Sequence, residues 1–122
     1  MLDHAGLDVR DLAAARRFYE AALAPLGYSP GPEGDGYLGM RAPEGHADFW
    51  IAQRGEGSGG AHVAFRAADR ATVDAFHEAA LAAGGTDNGA PGVRAHYHEH
   101  YYGAYVRDPD GNNVEAVCHS PG

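Results

Sequence analysis

Shifted by 58 positions, this sequence lands on itself. Residues 4–27 (HAGLDVRDLAAARRFYEAALAPLG) align without a gap on 62–85 (HVAFRAADRATVDAFHEAALAAGG), with ten identities in 24 positions. His4 meets His62, Asp11 meets Asp69, Phe18 meets Phe76, and Gly27 meets Gly85. A solenoid needs more copies and a shorter period. At 122 residues the chain is one domain's worth, so the copies must share a core. The expected organisation is a single domain over 1–122. Module one covers about 1–54, a glycine-rich linker about 55–60, and module two about 61–120.

Each copy opens on a period-2 segment, residues 2–9 (LDHAGLDV) and 62–67 (HVAFRA), and such alternation argues for strands. Asp11 and Asp69 follow where a helix N-cap is wanted. The helices after them place Leu12, Ala15, Tyr19, Ala22 and Leu26 on one stripe, and Val73, Phe76 and Ala80 on the other. Gly27 and Gly84–Gly85 stop them. Further strands are predicted at about 36–41 and 47–53, then at about 101–107 and 112–118 around an Asp108-Pro-Asp-Gly111 turn. The glycine-rich stretches 25–60 and 84–92 read otherwise as loops. The class is α+β, with each module a strand, a helix and a mostly antiparallel run.

Strand alternation sorts the faces. Ala5, Leu7 and Val9, Val63 and Phe65, Phe49 and Ile51, and Val114 and Ala116 form the apolar sets, which belong under the helices. That leaves His4, Trp50, His62 and Glu115 on the opposite, concave face. Lining up 47–53 over 112–118 sets Trp50 against Glu115. Two histidines and one carboxylate with open positions suit a divalent metal that must also hold substrate. A structural zinc site would fill all four places.

Composition removes several alternatives. All nine basic residues are arginine, which excludes a Schiff-base lysine. A net charge of -8 argues against nucleic acid. No apolar run approaches the ~18 residues of a membrane span. The N-terminus has no signal-peptide pattern, and one cysteine, Cys118, fits a reducing cytoplasm. The 55–60 stretch leads into a strand, so it is not a dinucleotide loop.

The opening DHAGLDVRDLAAARRFYEAAL, the repeat and the closing GAYVRDPDGNNVEAV resemble the vicinal oxygen chelate superfamily. That group includes glyoxalase I, extradiol dioxygenases, and fosfomycin- and bleomycin-resistance proteins. The resemblance implies paired βαβββ modules forming an incomplete, cupped mixed β-barrel around a metal, with helices on the convex side, in a homodimer. It implies His4, His62 and Glu115 as ligands of a divalent ion (Zn, Fe, Mn or Ni). Trp50 stands where glyoxalase I-like members carry a second glutamate, so their two-carboxylate isomerase chemistry is not expected. The function implied is a metal-dependent enzyme of lyase, transferase or dioxygenase type on a small molecule. The alternative is a protein that sequesters a drug or metabolite without catalysis.

Residues 93–102 (VRAHYHEHYY) are the remaining unusual segment. If extended, His96, His98 and His100 share a face and suit a metal on their own. As a loop at the cavity mouth, the segment offers His98 and Tyr102 as acid–base groups and His96 as a substrate contact. Arg94 and Arg107 are the candidate anchors for an acidic substrate group, and Trp50 for stacking. Cys118, opposite Glu115 in the pleat, is expected buried, and His77 structural. His46 and His119 carry no argument.

Overall fold

The computed structural model describes all 122 residues. Each repeat begins with a strand, β1 (Ala5–Val9) or β5 (His62–Arg66), and passes into a helix, α1 (Leu12–Leu23) or α2 (Arg70–Ala82). The caps form as expected. Asp11 accepts from the backbone N–H of Ala13 and Ala14 at 3.0 and 3.3 Å, and Asp69 from Thr72 N–H at 2.8 Å. After α1 a short 3₁₀ turn with Pro25 in it ends at Gly27, whose φ of +86° only glycine adopts without strain.

The strands that follow are β2 (Ser29–Gly34), β3 (Tyr37–Arg41) and β4 (Ala47–Gln53), then β6 (Thr86–Val93), β7 (Tyr102–Arg107) and β8 (Asn113–Cys118). They build two four-stranded mixed sheets, ordered β1-β4-β3-β2 and β5-β8-β7-β6, which do not close into a barrel. In each sheet the opening strand runs parallel to the closing one and the remaining neighbours are antiparallel. Two tandem βαβββ modules are therefore present.

β2 and β6 correct the loop expectation for those stretches. Their sequences, SPGPEG and TDNGAPGV, show no apolar alternation, and proline interrupts both. Both are edge strands, where a missing N–H can face solvent, and both pair through register shifts. Their neighbours β3 and β7 impose the extended form.

One core serves both modules. Leu7, Val9, Leu38, Met40, Phe49 and Ile51 of the first sheet, and Phe65, Ala104, Val106, Val114 and Ala116 of the second, join the buried faces of both helices. Phe18 and Leu23 are buried beside the expected α1 stripe, because α1 touches α2 as well as its own sheet. The Phe49 ring meets Tyr19 at 5.1 Å and Phe65 at 5.2 Å, in edge contacts that cross the module boundary. Burying a phenylalanine contributes about 1.5–3 kcal/mol. The helix-bearing faces of the sheets thus turn inward toward each other, and their open faces turn outward.

Candidate metal centre

Register places the repeat-related residues at matching points. Gly6 of β1 pairs with Trp50 of β4, and its counterpart Ala64 of β5 pairs with Glu115 of β8. Paired residues on neighbouring strands share a face, and residues two apart along a strand share it too. His4 therefore belongs with Trp50, and His62 with Glu115. His62 Nε2 lies 3.0 Å from Glu115 Oε1, with the His62 side chain 55% exposed and Glu115 2%. The other carboxyl oxygen, Oε2, accepts the Tyr101 hydroxyl. Burial, and then this bond to Glu115, raise the Tyr101 pKa above its ordinary value. Tyr105 stands opposite Glu115 on β7, and burial raises its pKa as well.

His4 lies on the other open face, in a shallow cavity with Gly6, Asp8, Trp50 and Arg54. Its Nδ1 is 2.8 Å from Asp3 Oδ2, which holds the Asp3 carboxyl below its ordinary range and leaves His4 Nε2 free of that contact. No three His, Cys, Asp or Glu side chains surround a single point within the chain. His62 and Glu115 are brought together, and His4 is kept apart from them. Trp50 and Tyr105 trade places in the repeat. The indole lies across Gly39, its partner on β3, where an added Cβ would come within 2.7 Å of Cζ3. In the second module the bulk is Tyr105 on β7, in the place of Gly39, and Glu115 on β8 takes the place of Trp50.

The other expected site residues divide. Tyr102 pairs with Cys118, one step out of phase with Glu115, and so faces the helices; its hydroxyl donates to Asp74 of α2 at 2.6 Å. That placement sets it on the face opposite Glu115. Residues 94–101 form a loop of turns, so the three-histidine extended face does not exist. His96 is exposed there against Tyr97, and His98 Nε2 meets His119 Nδ1 at 2.8 Å. Arg94 folds back onto Gly92 and Ala90 carbonyls and covers Tyr105. Arg107 shares the Glu115 face by register, two positions past Tyr105, with Nη1 donating to Gly111 O at 3.2 Å. Cys118 is buried, as expected. Tyr101, Tyr105 and His119 were not singled out by the sequence. Counting back from the Asp108–Gly111 turn would have set Tyr105 against Glu115.

The family model of the glyoxalase/bleomycin resistance protein/dioxygenase superfamily matches residues 1–116. The chain belongs to this superfamily. A glyoxalase/bleomycin resistance protein of Albidiferax ferrireducens T118 superposes with a TM-score of 0.83 at 34% identity, covering 98% of this chain and 99% of that one. A glyoxalase-related enzyme of Fulvimarina pelagi (TM-score 0.76, 18% identity, 97% and 87% covered) shares the fold. So does a family enzyme of Burkholderia phytofirmans PsJN (0.73, 18%, 97% and 98%). No curated protein matches the chain. No helix is long and apolar enough to cross a membrane.

Superfamily members often bind divalent metals, and an imidazole and a carboxylate are donor types that such ions take. Two ligand atoms about 2.1 Å from one ion lie roughly 3.4 Å apart in a tetrahedral site, whereas at the right angle of an octahedral site they lie roughly 3.0 Å apart. His62 Nε2 and Glu115 Oε1 have that separation. A carboxyl group buried in a sheet also needs partners for both oxygens, and one of Glu115's faces the imidazole of His62, a side chain open to solvent.

Proposed function

We propose that this protein is a divalent-metal-dependent enzyme acting on a small substrate with two neighbouring oxygens, and that it works as a homodimer. The observation that carries the reading is the His62–Glu115 pair on an open face, with its repeat counterpart His4 on the other. Because the open faces turn outward, His4 of one copy would join His62 and Glu115 of a second. Supporting this, β1 and β5 are terminal strands of their sheets, each with one edge lacking a strand partner. Segment 54–58 caps only the far end of β1, at Asp8 and Val9. An apolar groove lined by Ala5, Phe49, Val63 and Phe65 opens beside them, the kind of surface a second copy would cover.

His4, His62 and Glu115 would hold the ion, which when bound polarises substrate oxygens as a Lewis acid. Around it the chain's own residues have separate tasks. Trp50 supplies an apolar wall that excludes water and stacks on a planar substrate, and Arg107 a cation for an acidic group. With a single carboxylate at the centre, the proton shuttling of a paired-glutamate site has no second base. A second reading, sequestration without chemistry, is favoured by Trp50 lying half-buried beside exposed Tyr37 at 6.2 Å between ring centres.

Metal analysis of protein purified without a histidine tag tests the first reading. Stoichiometric metal is expected, and strongly reduced metal in His62→Ala and Glu115→Gln. Mixing His4→Ala chains with Glu115→Gln chains should restore part of the binding, because each mixed dimer regains one intact site. Metal content that the substitutions leave unaltered would sink the proposal. Ligand binding indifferent to chelator would favour sequestration. Assays with a dicarbonyl–thiol adduct, a catechol and fosfomycin would then sort the chemistry.

A further inference from the structure

We infer that Tyr101 is a positioning residue that holds Glu115 to one-point contact with the ion, and that the His98–His119 pair fastens it there. The inference rests on the metal reading above.

Glu115 presents Oε1 to His62 and has Oε2 taken by the Tyr101 hydroxyl. With Oε2 occupied by a donor, the carboxyl group cannot swing to place both oxygens on one ion. A coordination position then stays free for substrate. Hydrogen bonds to ligating carboxylates fix ligand orientation in this way, and losing one costs metal affinity.

Tyr101 lies outside the regular strands, so its place over Glu115 needs an explanation. Three features supply it. Gly103 leaves a slot for the ring, since a Cβ there would sit 3.2 Å from Tyr101 Cε1 and 3.5 Å from Glu115 Oε2. The loop 94–101 closes on itself, with Arg94 N–H donating to Tyr101 O at 2.7 Å and Tyr101 N–H to His98 O at 3.2 Å. The third feature is a clasp between this loop and the end of β8. The N–H of His100 donates to His98 Nδ1 at 3.0 Å, which leaves the ring proton on Nε2, aimed at His119 Nδ1 2.8 Å away. The two imidazoles lie edge to edge, 28° from coplanar with ring centres 5.1 Å apart, and Tyr101 packs edge-on to both, with ring centres 5.5 Å from His98 and 5.4 Å from His119. Neither histidine bonds to Glu115 or His62, so the pair acts on the centre only through Tyr101.

The test is a Co²⁺ titration of the full chain, read by calorimetry and by the visible spectrum. Tyr101→Phe removes one hydroxyl and keeps the ring contacts. It should weaken Co²⁺ binding roughly 10–100-fold and change the spectrum as Glu115 alters its contact. His119→Phe keeps a ring and loses the acceptor nitrogen. A smaller loss is expected, with nothing added when it is combined with Tyr101→Phe. Tyr97→Phe, whose ring packs at a tilt against Tyr101 but has no bond to Glu115, serves as a control with unchanged binding. Near-UV circular dichroism verifies that each variant folds. If Tyr101→Phe binds as tightly as wild type with the same spectrum while Glu115→Gln does not bind, the positioning role is wrong and the metal reading survives. If the two losses add, the clasp is wrong. A wild-type chain that takes up no Co²⁺ overturns both this inference and the metal reading.

Discussion

Replacing Tyr19 by phenylalanine removes one oxygen from the seam between the modules. In the native chain the Tyr19 hydroxyl donates to Asp108 Oδ2 at 2.5 Å, tying α1 of the first module to the turn that closes the second. Both side chains are buried, at 0% and 4% exposure. The ring contacts to Phe18 and Phe49 survive the substitution. A buried bond to a carboxyl group contributes about 1.5–3 kcal/mol. Oδ2 keeps a second donor, Asn112 Nδ2 at 3.0 Å, and Oδ1 keeps the N–H groups of Asp110 and Asn112. No group is left wholly unpaired, so the expected cost is at the low end, about 1.5–2 kcal/mol. For a chain of this size that lowers the Tm by roughly 5–10 °C. Urea unfolding at fixed protein concentration should show a lower midpoint with an unchanged slope. Asp108→Ala, which strands the Tyr19 hydroxyl, the Asn112 side-chain amide and two backbone N–H groups, should cost more. Burial first, and then Asp108, raise the Tyr19 pKa well above 10.0. The unfolded chain therefore loses this proton first, and the bond's stabilisation, complete below pH 10, declines as pH rises above it. The gap between wild type and variant should narrow there. A Tyr19→Phe midpoint equal to or above wild type at neutral pH would refute the reasoning.

Three further outcomes follow from other parts of the fold. Gly39→Ala should lift the indole of Trp50, at a cost of about 1–3 kcal/mol; Trp50 is the single tryptophan, so an unshifted emission maximum would contradict the contact. Asp11→Ala removes the α1 cap and should cost about 1 kcal/mol, with an unmoved urea midpoint as the contrary result. The bond from His77, and then Gly89 N–H, hold the Asp87 carboxyl below 3.8. This depressed pKa adds stability at higher pH that is lost as pH falls below 3.8. In His77→Ala the Asp87 carbon-13 titration should move up toward 3.8, and an unchanged curve would exclude His77 as the cause.

Features that depend on nearby residues were legible in the sequence. The Asp11 and Asp69 caps, the stop at Gly27 and the Asp108–Gly111 turn depend on a few neighbouring residues, and all form as read. Pleat parity placed His62 beside Glu115, because parallel pairing puts equivalent residues on one face. β2 and β6 were illegible for the opposite reason: their extended form comes from the strand alongside, and their composition contradicts it. The separation of His4 from His62 was equally hidden. A repeat says that two residues are equivalent, but not whether their faces meet within one chain or look outward from a shared core. Tyr101 was passed over in favour of Tyr102 because loop geometry, not alternation, carries it to Glu115.

The exchange of bulk between Gly39–Trp50 and Tyr105–Glu115 limits how this chain can change. Substituting glutamate at Trp50 to give a second carboxylate would also uncover Gly39 and open a void in the first sheet. Filling that void calls for a large residue at position 39, which the indole forbids until it has gone. Each step alone is a loss, either of packing or through collision, and only the double replacement keeps the volume. Packing thus ties the residue at position 50 to the one at position 39, and the difference between the two halves of the repeat rests on a steric interlock.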